Sequence, residues 1–277
     1  MRFYLTVTAF LVLGASAGRA QNSSAHAIDS LVIGETFTID SKIMHEVRRI
    51  NVYKPPGYSD SASAPVPVLY MPDGGIAEDF LHVAGLVQVG VGNGTMRPFL
   101  LVGIENTERR RDMTGPTENA EDRKIAPRVG GSALFRSFIR DELMPLIKSR
   151  YRTTTETAIV GESLAGLFVV ETFLNEPAMF DTYVAFDPSL WWNNGKLVTD
   201  APTLLKGRQV KGKSLYIATS SNAGLADIAS RLGTAVKSGA ATGLDWHYAT
   251  LPAETHATIY HPAALQAFRL LFKPVTH

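Results

Sequence analysis

Residues Ala158-Ile159-Val160-Gly161-Glu162-Ser163-Leu164-Ala165-Gly166-Leu167-Phe168-Val169-Val170 make an apolar run, a turn punctuated by glycine and a second apolar run. Strand-favouring residues lead into the turn and helix-compatible ones leave it, so the segment reads as strand, turn, helix. Inside it, Gly161-Glu162-Ser163-Leu164-Ala165 has the form Gly-x-Ser-x-Ala, with Gly166 next. A serine on so sharp a bend needs small residues two before and two after it, because its strained backbone is crowded by neighbouring chain, and Ala165 is small enough. The bend would lift Ser163 Oγ above the sheet edge. The Leu164 N–H, at the helix start, would then face an oxyanion with the helix dipole behind it.

Outward from this turn the chain alternates buried strands with helices. Apolar runs at 66–71, 99–104, 158–160, 183–186 and 214–218 suit strands covered on both faces of a parallel sheet. Helical patterns occupy 79–89, 132–150, 164–175, 225–237 and 262–272. Upstream, 35–40 and 47–53 alternate apolar with polar residues, as half-buried antiparallel strands do, and Pro55-Pro56-Gly57-Tyr58 ends that hairpin. The sum is an α/β chain: a mostly parallel, doubly wound sheet with an antiparallel N-terminal hairpin.

The chain has 277 residues, a formal net charge of +1 and no cysteine. Near-neutral charge gives no footprint for nucleic acid or an anionic membrane, and without cysteine there is neither a disulfide framework nor a cysteine-linked lipid anchor. Residues 1–20 read as a secretory signal peptide: Arg2, an apolar stretch from Tyr4 to Leu13 too short to span a bilayer, then small residues. Cleavage is expected after Ala20, with Ala17 second, leaving 21–277 as a single exported domain, periplasmic or secreted, without a membrane span. Oligomeric state is not legible. No His-Glu-x-x-His motif or cysteine cluster suggests a metal. Gly90-Val91-Gly92-Asn93-Gly94 precedes its strand and lacks the Gly-Lys-Ser/Thr of a phosphate loop, so no cofactor is expected.

In open α/β sheets chemistry gathers at the carboxyl ends of the strands. There, Met71-Pro72-Asp73-Gly74-Gly75-Ile76 offers backbone N–H groups of Gly74, Gly75 and Ile76 as a second oxyanion donor, or makes an ordinary Asp-Gly turn. Of seven histidines, four follow Ser163, and His247, His256 and His261 are the candidates for its base. His247 alternates within a strand pattern and His261 precedes Pro262 at a helix start. His256 lies in a loop between the last strand and last helix, from which an imidazole can reach Ser163. An acid is needed to orient that imidazole. Asp187, at the end of the run 183–186, is the chosen candidate. Asp227, which reads as a first-turn helix residue, and Glu254 stand behind it, and a Ser163–His256 dyad without an acid stays open. Trp191 and Trp192 could wall an apolar or aromatic pocket or simply pack. An arginine of Thr107–Asp112 could hold an acidic substrate group, or that run is a solvated loop.

Taken together, Arg48–Tyr58, Leu69–Gly74, Arg140–Ile147 with Arg150–Thr153, the serine turn, Asp187–Trp192 and Glu254–His256 resemble the putative-esterase (esterase D-like) family of α/β-hydrolases. That family includes siderophore esterases, S-formylglutathione hydrolase, feruloyl esterases and mycolyltransferases. Pro188-Ser189-Leu190-Trp191-Trp192 and the export signal point to the siderophore-esterase branch. The resemblance implies an α/β-hydrolase fold and a serine hydrolase of small-molecule carboxylic esters, with Ser163 as nucleophile and His256 as base. The chain departs from the pattern at Ala165, where glycine is usual, at Asp187, where many relatives carry serine, and after 214–218, where the customary acid is missing. An acyltransferase on the same serine and a non-catalytic binding protein on the same scaffold are the other classes this sequence allows.

Overall fold

The five apolar runs become the parallel strands of one sheet because only a strand covered on both faces can bury every side chain. The computed structural model describes residues 29–61, 64–238 and 242–274. The expected leader, residues 1–20, lies outside them. The elements that follow all belong to the unit Ile33–His277. Strands β1 (Glu35–Ser41), β2 (Glu46–Tyr53), β3 (Val66–Pro72), β4 (Leu100–Ile104), β5 (Thr153–Glu162), β6 (Thr182–Phe186), β7 (Ser214–Thr219) and β8 (Asp245–Thr250) form an eight-stranded sheet among the described residues, in the order β1-β2-β4-β3-β5-β6-β7-β8. The pairs β1/β2 and β2/β4 are antiparallel and the rest are parallel. This is the α/β-hydrolase arrangement. Every residue of β3, β4 and β6 is buried, whereas the edge strands β1 and β8 keep polar faces toward solvent.

Helices α1 (Phe80–Gly92), α2 (Arg109–Asp112), α3 (Ser132–Phe138), α4 (Met144–Arg150), α5 (Leu164–Asn175), α6 (Trp192–Leu205), α7 (Ala223–Ser238) and α8 (Tyr260–Leu271) connect the strands. The pattern 132–150 predicts one helix. The chain instead widens to a π-helical turn at Ile139–Leu143 between α3 and α4. Pro145 has no N–H to give to a carbonyl four residues back, and the wider turn accommodates that loss. Sequence periodicity misses α6 because it opens with left-handed residues at Asn193, Asn194 and Gly195 and carries Pro202 inside. Two apolar layers cover the sheet. One packs α3 and α5 against Tyr70, Ile159 and Ile217, and the other packs α1 and α8 against Met71, Val160 and Phe186.

The alternation in β2 breaks at one residue with consequences. Val47 points outward, 58% exposed, and Arg48 points in, fully buried. Its guanidinium donates to Asp112 Oδ2 at 2.5 Å and to Thr107 Oγ1 and Glu46 Oε1, both at 2.7 Å, and lies over the rings of Phe135 and Phe138. Burial pushes the Glu46 carboxyl up, but hydrogen bonds from Arg111, Thr107 and Arg48 outweigh it and hold it at about 2. Arg48 and Asp112 thus pin α2, and the loop before it, to the hairpin. A buried pair broken on one side leaves an uncompensated charge, so Asp112→Asn should destabilise the fold by about 3 kcal/mol. The check is the midpoint of urea unfolding, and an unchanged midpoint would remove this role.

Candidate active site

Parallel register lines up the strand ends that carry the site. Glu162 pairs with Phe186, Phe186 with Ala218, and Thr219 with Thr250, so Ser163, Asp187, Ser220 and the loop after β8 emerge along one rim. Ser163 sits between β5 and α5 at φ 60° and ψ −119°, a conformation L-residues avoid. Its surroundings hold it there. Its N–H donates to the Phe186 carbonyl at 3.0 Å, and its own carbonyl accepts from Leu167 at 2.9 Å and from Ser189 at 3.0 Å. A Cβ on Gly161 would lie 2.7 Å from both the carbonyl carbon and the Cβ of Ala165, which is why glycine is required at 161 while alanine suffices at 165.

His256 Nε2 lies 3.0 Å from Ser163 Oγ, and its Nδ1 lies 3.1 Å from Asp187 Oδ2. Asp187 is fully buried at the end of β6. Ser220 donates to it twice, from its N–H to Oδ1 at 2.7 Å and from its hydroxyl to Oδ2 at 2.6 Å. Burial alone would raise the Asp187 carboxyl; hydrogen bonds from His256 and Ser220 outweigh it and hold the group below the ordinary carboxylate range. The hydrogen bond to Asp187 in turn raises the imidazole, against the lowering effect of its partial burial, and the nearby charges of Glu162 and Asp187 add to the rise.

The competing candidates fall elsewhere. Asp227 is exposed on α7, and no hydrogen bond joins the Glu254 carboxylate to His256 among the described residues. His247 pairs with Asp245 on β8 at 2.9 Å, and His261 packs beside the His82 ring.

The β3–α1 loop differs from expectation at two of its three N–H groups. Gly74 donates to the Ile104 carbonyl at 2.9 Å, and Gly75 donates to Glu78 Oε2 at 2.6 Å. The carboxylate three residues ahead folds back on the turn, as in a capping box, and takes the donor that Gly75 would otherwise present. No hydrogen bond engages the N–H groups of Leu164 and Ile76 among the described residues. The loop itself is anchored: Arg109 binds both oxygens of Asp73, at 2.7 and 2.8 Å, and the Asn51 amide donates to the Gly74 carbonyl. Arg109 is therefore spent inside the protein rather than held out for a substrate. Arg111 is similarly engaged by Glu46 and Asp112, and only Arg110 of the three has no ion pair among the described residues.

The tryptophans separate. Trp192 is buried and gives its indole N–H to the Gly115 carbonyl at 2.8 Å, whereas Trp191 is 44% exposed. Trp192 lines a cavity of about 350 Å³ between α5, α6 and residues 115–118, whose lining includes neither Ser163 nor His256. Its indole N–H is satisfied within the fold and its ring packs among buried neighbours while also walling that cavity.

One residue beside the site escapes the sequence reading. Glu162 Oε1 lies 3.2 Å from His256 Nδ1, the same nitrogen that faces Asp187. Its position immediately before the serine is the only signal that could have found it.

Residues 41–239 match the family described as Putative esterase. The chain belongs to that family. The ferri-bacillibactin esterase BesA of Bacillus subtilis is 37% identical over 113 residues, 39% of this chain and 37% of that protein. The siderophore enterobactin esterase of Emericella nidulans is 33% identical over 113 residues, 38% of this chain and 37% of that protein. The aligned stretch thus spans less than two fifths of the length of either curated relative. Among solved structures, an IroE-like serine hydrolase from Shewanella oneidensis superposes with a TM-score of 0.76 at 28% identity, covering 86% of this chain and 80% of its own. The siderophore hydrolase EstB of Aspergillus nidulans, at 21% identity and TM-score 0.75 over 91% of this chain and 99% of its own, shares the fold.

Proposed function

We propose that this member of the esterase family is a serine-dependent carboxylic ester hydrolase working through an acyl-enzyme on Ser163. The observation that carries the reading is the hydrogen-bonded line from Ser163 Oγ through His256 to Asp187. Neutral His256 takes the serine proton at Nε2 as Oγ bonds to the ester carbonyl carbon. The oxyanion so formed is stabilised by the N–H groups of Leu164 and Ile76, which have no other acceptor among the described residues. His256 then gives the proton to the leaving alkoxide oxygen, and the acyl group is released when water attacks by the same route. Asp187 fixes the tautomer and stabilises the imidazolium.

Two curated relatives act, by their names, on ferri-bacillibactin and on the siderophore enterobactin, which supports a siderophore-type ester as substrate. Export follows as a reading of residues 1–20. Among the described residues no helix is long and apolar enough to cross a membrane.

One experiment addresses both points. The chain, expressed with its leader and recovered from the periplasm or medium, is treated with a fluorophosphonate and mapped by mass spectrometry. The expected peptides carry the phosphonyl group on Ser163 and begin at Gln21. An unlabelled Ser163 would overturn the nucleophile, and an intact leader would overturn export.

A further inference from the structure

We propose that Glu162 is a positioning residue of this site: a second carboxylate that shares the Nδ1 edge of His256 with Asp187 and helps stabilise the imidazolium formed when Ser163 gives up its proton. The inference rests on the ester-hydrolase reading and adds a residue to it. Its geometric basis is the near equality of two distances, 3.1 Å from Nδ1 to Asp187 Oδ2 and 3.2 Å from Nδ1 to Glu162 Oε1.

The two carboxylates differ in how they are held. Asp187 has two donors from Ser220 besides the imidazole, whereas Glu162 Oε1 is buried with no hydrogen-bond partner among the described residues. A buried acceptor left open costs stability, so it persists where something transient uses it. Here the transient partner is the charged imidazole itself. A small rotation of the ring turns its N–H from Asp187 toward Glu162, and the positive charge meets a carboxylate at either end of that swing.

Other groups face Glu162 from each neighbouring element: His256 from the β8–α8 loop, Asp187 from the end of β6, Arg109 from α2 and Asp79 from the residue before α1. Burial, the largest effect, and the charges of Asp79 and Asp187 push the Glu162 carboxyl up, His256 and Arg109 pull it down, and the balance stands at about 7. Around neutrality it is therefore partly protonated, and more so while the ring is neutral and its pull is withdrawn. It loses its proton more readily once the ring is charged, so its negative charge is greatest when the reaction calls for it.

Glu162→Gln keeps the shape and removes the charge. Because the charge of Glu162 raises His256, its loss should lower the imidazole and move the acid limb of kcat/KM to lower pH, by about one pH unit for a charge at this range. kcat should fall by about fivefold at pH 8 with little change in KM, as expected when charge stabilisation is lost in the transition state alone. In an Asp187→Asn background, where Glu162 is the remaining carboxylate, the same substitution should cost about fiftyfold. The imidazole NMR resonances of His256 should show the shift independently of ester turnover.

An acid limb and a His256 titration that stay in place would overturn the proposal, as would an equal effect of Glu162→Gln in both backgrounds. If Glu162→Gln does not fold, Glu162→Met makes the same test with an apolar side chain suited to burial. A wild-type protein that hydrolyses no ester would instead count against the underlying activity, while the NMR titration would still decide whether Glu162 governs His256.

Discussion

Ser163→Ala should abolish hydrolysis of a short-chain nitrophenyl ester, with kcat/KM falling by at least about 10³-fold while the melting temperature holds or rises. The large loss follows from removal of the proposed nucleophile, since among the described residues Ser163 Oγ is the hydroxyl hydrogen-bonded to His256 Nε2, at 3.0 Å. Ser189 Oγ, 3.4 Å from Ser163 Oγ, makes no hydrogen bond to the imidazole among the described residues. The fold should survive because the backbone of Ser163, not its hydroxyl, makes the three hydrogen bonds that hold the turn. Relief of the strained φ of 60° is unavailable to alanine as well. Retained turnover with the protein folded would end the nucleophile assignment.

The second large effect concerns the acid. Asp187→Asn should lower kcat by about 10²- to 10⁴-fold, whereas Asp227→Asn should leave it within about twofold. Asparagine at 187 can still accept from Ser220, so the loop stays in place, but it neither neutralises the imidazolium nor enforces the tautomer that leaves Nε2 free to accept the serine proton. A carboxylate open on Nδ1 at Glu162 would set the residual rate toward the upper end of that range. Steady-state kinetics of the two variants beside wild type decides it, and a rate loss confined to Asp227→Asn would mean that the wrong carboxylate was chosen.

How far the site was legible depended on whether its chemistry is local in sequence. The elbow is local: glycine, serine and alanine at fixed offsets satisfy a steric demand, since a Cβ added at Gly161 would come within 2.7 Å of Ala165. The place of His256 after the last strand follows from topology, because a doubly wound sheet sends successive strand ends to one rim. Gly75 misled because the fate of an N–H depends on where a side chain three residues ahead folds, and Glu78 takes that donor. For Trp192 the sequence left pocket wall and packing both open, since the left-handed turn at Asn193–Gly195 and the hydrogen bond from its indole to Gly115 are not legible locally.

By itself the sequence determined the alternation of buried strands and helices and the direction of the sheet, and it singled out the serine and the distant histidine as candidates, because burial patterns and turn sterics are written in neighbouring residues. Only the tertiary structure decided which carboxylate faces the imidazole, that a second one stands beside it, and that Arg48 points inward while Val47 points out. Those outcomes turn on contacts between residues tens of positions apart, Arg48 with Asp112 and His256 with Asp187. The energy of such charges is set by their three-dimensional partners and their distance from water, and neither is encoded in any local pattern.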